Sequence, residues 1–447
     1  WFAVGLALLV ALVVGLAPAL RAGRIDLRGV LGDGGRGSTR GAGGAGLRRA
    51  LVVVEVAVSA ALLVSVALLL RSAVALNRVP PGFVTDSVVT ARMALPTRNY
   101  PTGDNVSAAY QRIYGVLRSI PGPRAIAMIS QVPLSNGGFG ARFHQIEHAM
   151  TGTDGVLSNI RIASPGYFGA MGIGIVGGRD FSEGDQATAP PVIMVNETFV
   201  REMGWSGNPV GRLVHTEVKD IGTRDGKEVA FQVVGIVKDV QEWGLRQAPS
   251  STLYLPITQA PPAPWEWTGR QMEIVARASG DPLALIPVLR SAVSGAEPGL
   301  PLYDVQTMGE RLRASLALER TNTIVITALG LVALLLAAIG IYGVLAYGVR
   351  QRTGEIGIRM ALGAEDGDIV RLVLGEGVQL ALIGMLLGLP AAWGAARLLE
   401  STLFGIGSHD PLSFAVSGAV LLGATVLACL VPVRTALAVP PVEVLRG

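Results

Sequence analysis

The chain has 447 residues; half are hydrophobic, 16% are charged, mean hydropathy is +0.48 and the formal net charge is +4. Soluble domains rarely average so apolar and bare bundles of spans rarely carry so much charge, so the composition calls for a membrane protein with a large polar part. The small basic excess, nearly all Arg with only three Lys, argues against nucleic acid as a partner, and a single cysteine, Cys429, leaves no internal disulfide framework or cysteine metal cluster.

In chain order, residues 1–20 are apolar and begin at Trp1 without a basic stretch, which argues against a signal peptide. They read as a transmembrane helix that ends a preceding repeat. Residues 21–48 form a Gly/Arg-rich linker, and 49–71 a span interrupted only by Glu55, Ser59 and Ser65 between Leu51 and Leu70. A block at 72–318 follows. Then come a stalk and span at 319–349, a polar segment at 350–370, a span at 371–398, a short loop at 399–411, a span at 412–433 and a tail at 434–447. Each apolar run has the roughly 20 residues needed to cross hydrocarbon. Arg residues crowd 21–49, 350–371 and the tail, whereas 399–411 has no Arg or Lys. The positive-inside rule therefore puts 21–48, 350–370 and 434–447 in the cytoplasm and 72–318 outside. Residues 18–31 and 432–445 share Pro, Ala, Val and Leu at four ungapped positions. This weak repeat suggests that 1–31 ends one copy and 434–447 the next.

The external block reads as α+β. Strands are predicted at 87–93, 125–129, 191–196, 231–237 and 271–276, and helices at 104–119, 196–203, 281–296 and 307–320. The alternation at 87–130 and 271–305 suggests two similar βαβ-like units, with a middle piece at about 140–260 richer in strands and turns. The stretch 307–320 is expected to run unbroken into the next span as a rigid stalk. The fold class is thus an α-helical membrane protein, with about five transmembrane helices and a large extracytoplasmic α+β domain of two subdomains.

Chemical motifs are weak. Gly32-x4-Gly37-Ser38-Thr39 lacks the Lys of a phosphate-binding loop and reads as linker. His144-x-x-Glu147-His148 has the outline of an inverted zinc-protease motif, but glycines flank it, and it reads as an exposed strand or loop. His215 and His409 stand alone. A membrane-anchored hydrolase is the weakest alternative. Within the spans, Glu55 and Glu376 are the polar residues of interest: functional, or paired near the interface, Glu55 with Arg48 or Arg49. Gly377, Gly384 and Gly388 favour close helix packing over a hinge, and Pro390 is expected to kink its helix.

The most informative stretch is 350–364, RQRTGEIGIRMALGA, short, charged and helix-prone between two spans. Held there, it offers one face to the cytosol, through which a partner can push on the spans. Residues 352–364 are very similar to the cytoplasmic coupling segment of the MacB/FtsX family of bacterial ABC transporter permeases. The stretches 51–64, 165–168, 177–181, 195–197, 233–237 and 440–446 resemble that family too. With the start that looks like the end of a preceding copy, the chain resembles the duplicated permeases of acidobacteria. Gly354 stands where the family normally has Arg or a similar residue.

The resemblance implies a multi-pass protein of the bacterial inner membrane with a periplasmic core domain. It implies no catalytic residue, metal or cofactor in this chain, ATP being held by a separate cytosolic ABC ATPase. That partner would grip Arg352, Glu355, Ile356, Gly357, Arg359, Met360, Ala361, Leu362, Gly363 and Ala364. Arg352, Glu355 and Arg359 would make charged contacts; Ile356, Ile358, Met360 and Leu362 would make apolar ones or pack against the spans. Further expected partners are a second permease half or a homodimer mate, a periplasmic adaptor or outer-membrane channel, and membrane lipid. The implied function is efflux or export by mechanotransmission. The alternative is a transmembrane activator or sensor of a periplasmic partner such as a cell-wall hydrolase, with no substrate moved.

Overall fold

The computed structural model describes residues 42–438 apart from 136, 146–154, 217, 225–226 and 269. The run 1–20, most of the linker with its 32–39 motif, Glu147, His148 and the tail beyond Ala438 lie outside the described residues. Among the described residues, four helices are long and apolar enough to cross a membrane. The first, α1 (Ala42–Asn77), starts inside the stretch read as linker.

The external domain is built on one eleven-stranded sheet with two distinct parts. The first part pairs β1 (Val88–Ala94), β2 (Ala125–Ile129), β10 (Gln271–Arg277) and β11 (Tyr303–Thr307) in the antiparallel order β2-β10-β1-β11. Helices α2 (Gly103–Leu117) and α5 (Ile286–Ala296) connect β1 to β2 and β10 to β11, so the two βαβ-like units form one split motif. Val106, Tyr110, Ile113 and Leu117 recur at helical spacing along α2. They cover Ala91, Met93, Met272 and Ile274, which alternate along β1 and β10. The Thr102 hydroxyl caps α2 by accepting from the Asn105 N–H at 3.3 Å.

Everything between β2 and β10 is an insertion. It contributes β3 (Phe139–Gln145), β4 (Val156–Ala163), β5 (Ile175–Gly178), β6 (Val192–Asn196), β7 (Leu213–Thr216), β8 (Phe231–Val237) and β9 (Thr252–Pro256), with short helices α3 (Tyr167–Met171) and α4 (Glu197–Glu202). The order β9-β6-β8-β7-β3-β4 closes on itself because β4 also pairs in parallel with β9. This six-stranded ring encloses Phe143, Ile160, Val195, Phe199, Phe231 and Leu253. Closure removes the free edges that an open sheet would expose.

Between β11 and the membrane lies α6 (Met308–Ser315), opened by a capping box in which the Thr307 hydroxyl accepts from the Glu310 N–H and the Glu310 carboxylate accepts from the Thr307 N–H. The unbroken stalk expected at 307–320 is corrected here. The helix ends at Ser315, whose hydroxyl donates back to the Leu312 carbonyl; Leu316 leaves helical geometry (φ −99°, ψ 2°), and α7 (Ala317–Gln351) starts anew. After α7 come α8 (Thr353–Ala361), α9 (Asp366–Leu398), which runs through Pro390, and α10 (Pro411–Leu437).

Packing divides the chain into two units. One comprises 58–334 with 388–421, and holds the external domain and the adjoining helix halves. The other comprises the described residues up to Ala57, 335–387 and those from 422, and holds α8.

Candidate coupling site

The site grows from the way α8 begins and ends. Arg352 departs from helical geometry (φ −105°, ψ 15°), so the chain turns after α7 and restarts. At the other end Gly363 takes φ +97°, its N–H donates to the Met360 carbonyl at 3.1 Å, and the Ala364 N–H donates to the Arg359 carbonyl at 3.0 Å. These two bonds are a Schellman stop, which favours glycine because a Cβ strains the left-handed turn. Gly363 therefore has a backbone reason to be where it is.

The helix has two faces. Ile356 is 2% exposed; with half-buried Met360 it packs on Val349 of α7, Ile369 and Val373 of α9, and Val433 and Ala436 of α10. Gly357 is buried beside it. Glu355, Ile358, Arg359, Ala361 and Leu362 face out, Leu362 being 84% exposed. Glu355 and Arg359 pair with each other at i,i+4, which organises the exposed face but adds only about 0.3–0.5 kcal/mol. The apolar set named from the sequence thus splits: Ile356 and Met360 anchor the helix, and Ile358 and Leu362 are presented.

Arg352 behaves differently from Glu355 and Arg359. Its guanidinium lies 3.6 Å from the Glu376 carboxylate of α9, which also takes an ion pair from Arg49 of α1. Glu376 thereby joins the cytoplasmic ends of α1, α7 and α9, a constellation that sequence reading missed. The pairing expected for Glu55 is corrected by the same contacts. Arg49 is engaged by Glu376 and Arg48 lies 4.2 Å over the Tyr347 ring. Glu55 instead lies against Gly340 of α7, where a Cβ would come 2.3 Å from its Oε2. Gly377 and Gly384 are likewise close-packing positions: a Cβ there would lie 2.5 Å from Cys429 Sγ and 2.4 Å from a Val56 methyl.

The histidines form no second site. His144 is on strand β3 but buried, a correction to the exposed reading. Its ring stacks on His215, its register partner on β7, with centroids 5.8 Å apart. Gly155, outside the motif, makes room for it: a Cβ there would lie 2.6 Å from the His144 ring. His409 Nδ1 shares a 3.0 Å hydrogen bond with the Ser408 hydroxyl, and its ring lies 5.5 Å from Trp393. So neither His215 nor His409 stands alone. Among the described residues no three metal-ligating side chains cluster.

Four spanning-length helices, a large α+β domain inserted after the first and a short polar helix among the last three define a multi-pass membrane protein with a large extracytoplasmic domain. Residues 50–286 match the MacB-like periplasmic core domain and residues 327–441 the FtsX-like permease C-terminal domain. The chain belongs to this MacB/FtsX family of ABC transporter permeases.

Among its relatives, the pyoverdine export ATP-binding/permease protein PvdT of Pseudomonas syringae pv. syringae is 25% identical over 71% of this chain and 46% of its own length. The uncharacterised ABC transporter permease YknZ of Bacillus subtilis is 26% identical over 73% of this chain and 78% of its own. The macrolide export ATP-binding/permease protein MacB of Marinobacter nauticus is 26% identical over 61% and 41%. The chain thus spans about half the length of the ATP-binding/permease relatives that it matches.

Proposed function

We propose that this chain is the permease subunit of an ABC transporter of the bacterial inner membrane. A separate cytosolic ATPase would bind α8 and drive a conformational change of the periplasmic domain, for efflux or export. A second permease half or a second copy would complete the transporter, with a periplasmic adaptor or outer-membrane channel as a further partner. The observation that carries the reading is the two-faced α8, whose exposed Ile358 and Leu362 stand beside the Glu355–Arg359 pair while Ile356 is locked among three helix ends. An apolar, charge-flanked patch on an anchored helix suits a protein partner. Force applied there reaches α7, α9 and α10 through Ile356, and α1 through Arg352, Glu376 and Arg49.

The character of the spans supports mechanical work. Apart from Glu55 in α1 and Glu376 near the start of α9, the runs Leu51 to Leu70, Thr321 to Val349, Gly377 to Ala396 and Pro411 to Val433 contain no charged residue, so polar cargo finds little fixed charge along these helices. The reading is tested by co-purifying the full-length protein with candidate ABC ATPases from the same genome. Capture by the parent and its loss in Leu362→Asp and in Glu355→Lys/Arg359→Glu is the expected result. Equal capture by parent and variants would sink the coupling role and leave the activator or sensor reading in its place.

A further inference from the structure

The outer end of the membrane region carries a cavity that the coupling mechanism does not use. From Arg49 to Arg71, α1 rises about 33 Å at 1.5 Å per residue, close to the ~30 Å of hydrocarbon. Arg71 pairs with Asp410, just before α10, which marks the outer boundary. Leu76 and Asn77 then lie within about 10 Å beyond it, at the depth of the lipid headgroups. At that depth a groove of about 290 Å³ opens beside α7, lined by Leu76, Asn77, Arg313, Glu319, Arg320 and Ile324. A second space of about 210 Å³ shares Leu76, Glu319 and Thr323 with it.

Three features define the occupant. The guanidiniums of Arg313 and Arg320 are exposed and form no ion pair among the described residues. Glu319 lines the same groove, and its Oε2 is buried without a hydrogen-bond partner, so the carboxylate is short of a donor. Leu318, Ile324 and Val325 leave an apolar, exposed flank on α7 beside it. Two cations call for an anion, and guanidinium suits phosphate. The Glu319 carboxylate in the same lining calls for an N–H donor beside that anion, and the flank calls for hydrocarbon.

We propose that this groove binds a phospholipid with a phosphoethanolamine headgroup from the outer leaflet. Arg313 and Arg320 hold the phosphate, Glu319 accepts from the primary ammonium, and the chains lie along Ile324 and Val325. A choline headgroup carries the same charges but no N–H to donate, and a glycerol headgroup has no cation for Glu319. The inference rests on the membrane topology alone and stands whether or not an ATPase binds α8.

The test is native mass spectrometry of the full-length protein in detergent, titrated with phosphatidylethanolamine, phosphatidylcholine, phosphatidylglycerol or soluble phosphoethanolamine. The expected result is ethanolamine lipid bound about tenfold more tightly than either other lipid, a difference of the size of one charge-assisted hydrogen bond. Glu319→Gln should erase that preference while phosphatidylglycerol binds at least as well as before. Arg313→Gln/Arg320→Gln should weaken ethanolamine and glycerol lipids together. Both Arg side chains are exposed, so an unchanged melting temperature is expected; Ala73→Trp, which fills the groove from α1, provides an independent variant that should expel the lipid. Equal binding of all three lipids, or variants that bind like the parent, would overturn the proposal. Soluble phosphoethanolamine that competes as well as the lipid would reduce the site to a headgroup pocket and overturn the lipid assignment.

Discussion

The external domain and the coupling helix carry equally dense sequence motifs and use them in opposite ways. In the domain, motif residues are consumed internally. Gly178 takes φ +77°, and a Cβ there would meet the Val234 carbonyl oxygen at 2.1 Å, so both conformation and space require glycine; Arg179 next to it forks onto both oxygens of Asp185. Asn196 caps α4 and bridges Asp239 to the Ser250 carbonyl. In α8, by contrast, Glu355, Ile358, Arg359 and Leu362 are turned away from the rest of the chain. A motif whose side chains are satisfied inside builds a scaffold; one whose side chains are presented by an anchored helix is left open to a partner.

Arg311→Met should give the largest effect, and on stability alone. Arg311 of α6 and Glu273 of β10 are 5% and 1% exposed and 3.2 Å apart, with Arg92 and Asp304 completing a balanced group. Removing Arg311 leaves Glu273 with Arg92 alone, 3.0 Å away, and the group one negative charge in excess, so unfolding should become easier by about 3 kcal/mol, the low end for a broken buried pair. ATPase capture by the protein that remains folded should not change; if it falls in parallel, the division between scaffold and address fails. Leu362→Asp with Ile358→Asp should do the reverse. Capture should drop about a hundredfold, the size of an interface hot spot, with no shift in melting temperature.

Smaller effects sharpen the boundary between the two regions. Glu376→Gln leaves the half-exposed Arg49 and Arg352 without their shared negative charge, and should cost about 1 kcal/mol in a thermal melt. Unlike the Leu362 change, it should leave ATPase capture intact while uncoupling hydrolysis from movement of the external domain, measured as a distance between spin labels. Gly363→Ala should cost about 1 kcal/mol by straining the left-handed stop of α8.

These contrasts follow what the sequence makes legible. Alternation in 88–94 and 271–277, and helical spacing in 103–117, are short-range patterns, and both βαβ-like units were readable from them. The ring was not. β3 and β4 interleave Arg142, His144, Asn159 and Arg161 with their apolar residues, and Arg161 is tolerated inside only because Glu242, 3.2 Å away, balances it across 81 residues of sequence. The break at Leu316 turns on one backbone dihedral that composition does not encode. In the coupling site, charge between two spans exposed the segment as a whole. Sorting its members required contacts from α1, α9 and α10, and so Arg352 and Glu376 could not be joined by spacing.

Asp185 offers the finest test of the scaffold side, through pH. Its carboxylate lies nearly buried, accepting from Arg179 at 2.7 and 2.8 Å and from the Ser182 N–H at 2.7 Å; these bonds, the Arg179 pair foremost, hold its pKa below the ordinary 3.8. A depressed folded value means that the unfolded chain takes up the proton first as pH falls. The stabilisation is therefore complete above pH 3.8 and is lost as pH drops through the folded value. Asp185→Asn should destabilise the domain at pH 7 by about 1 kcal/mol, the low end for a charged hydrogen bond because Arg179 is half exposed to screening water. The difference from the parent should shrink in denaturant titrations run below pH 3.8. A gap that stays constant with pH would mean that Asp185 contributes through shape, not charge, and that the Gly-Gly-Arg-Asp-Phe motif holds its turn by packing around Gly178 alone.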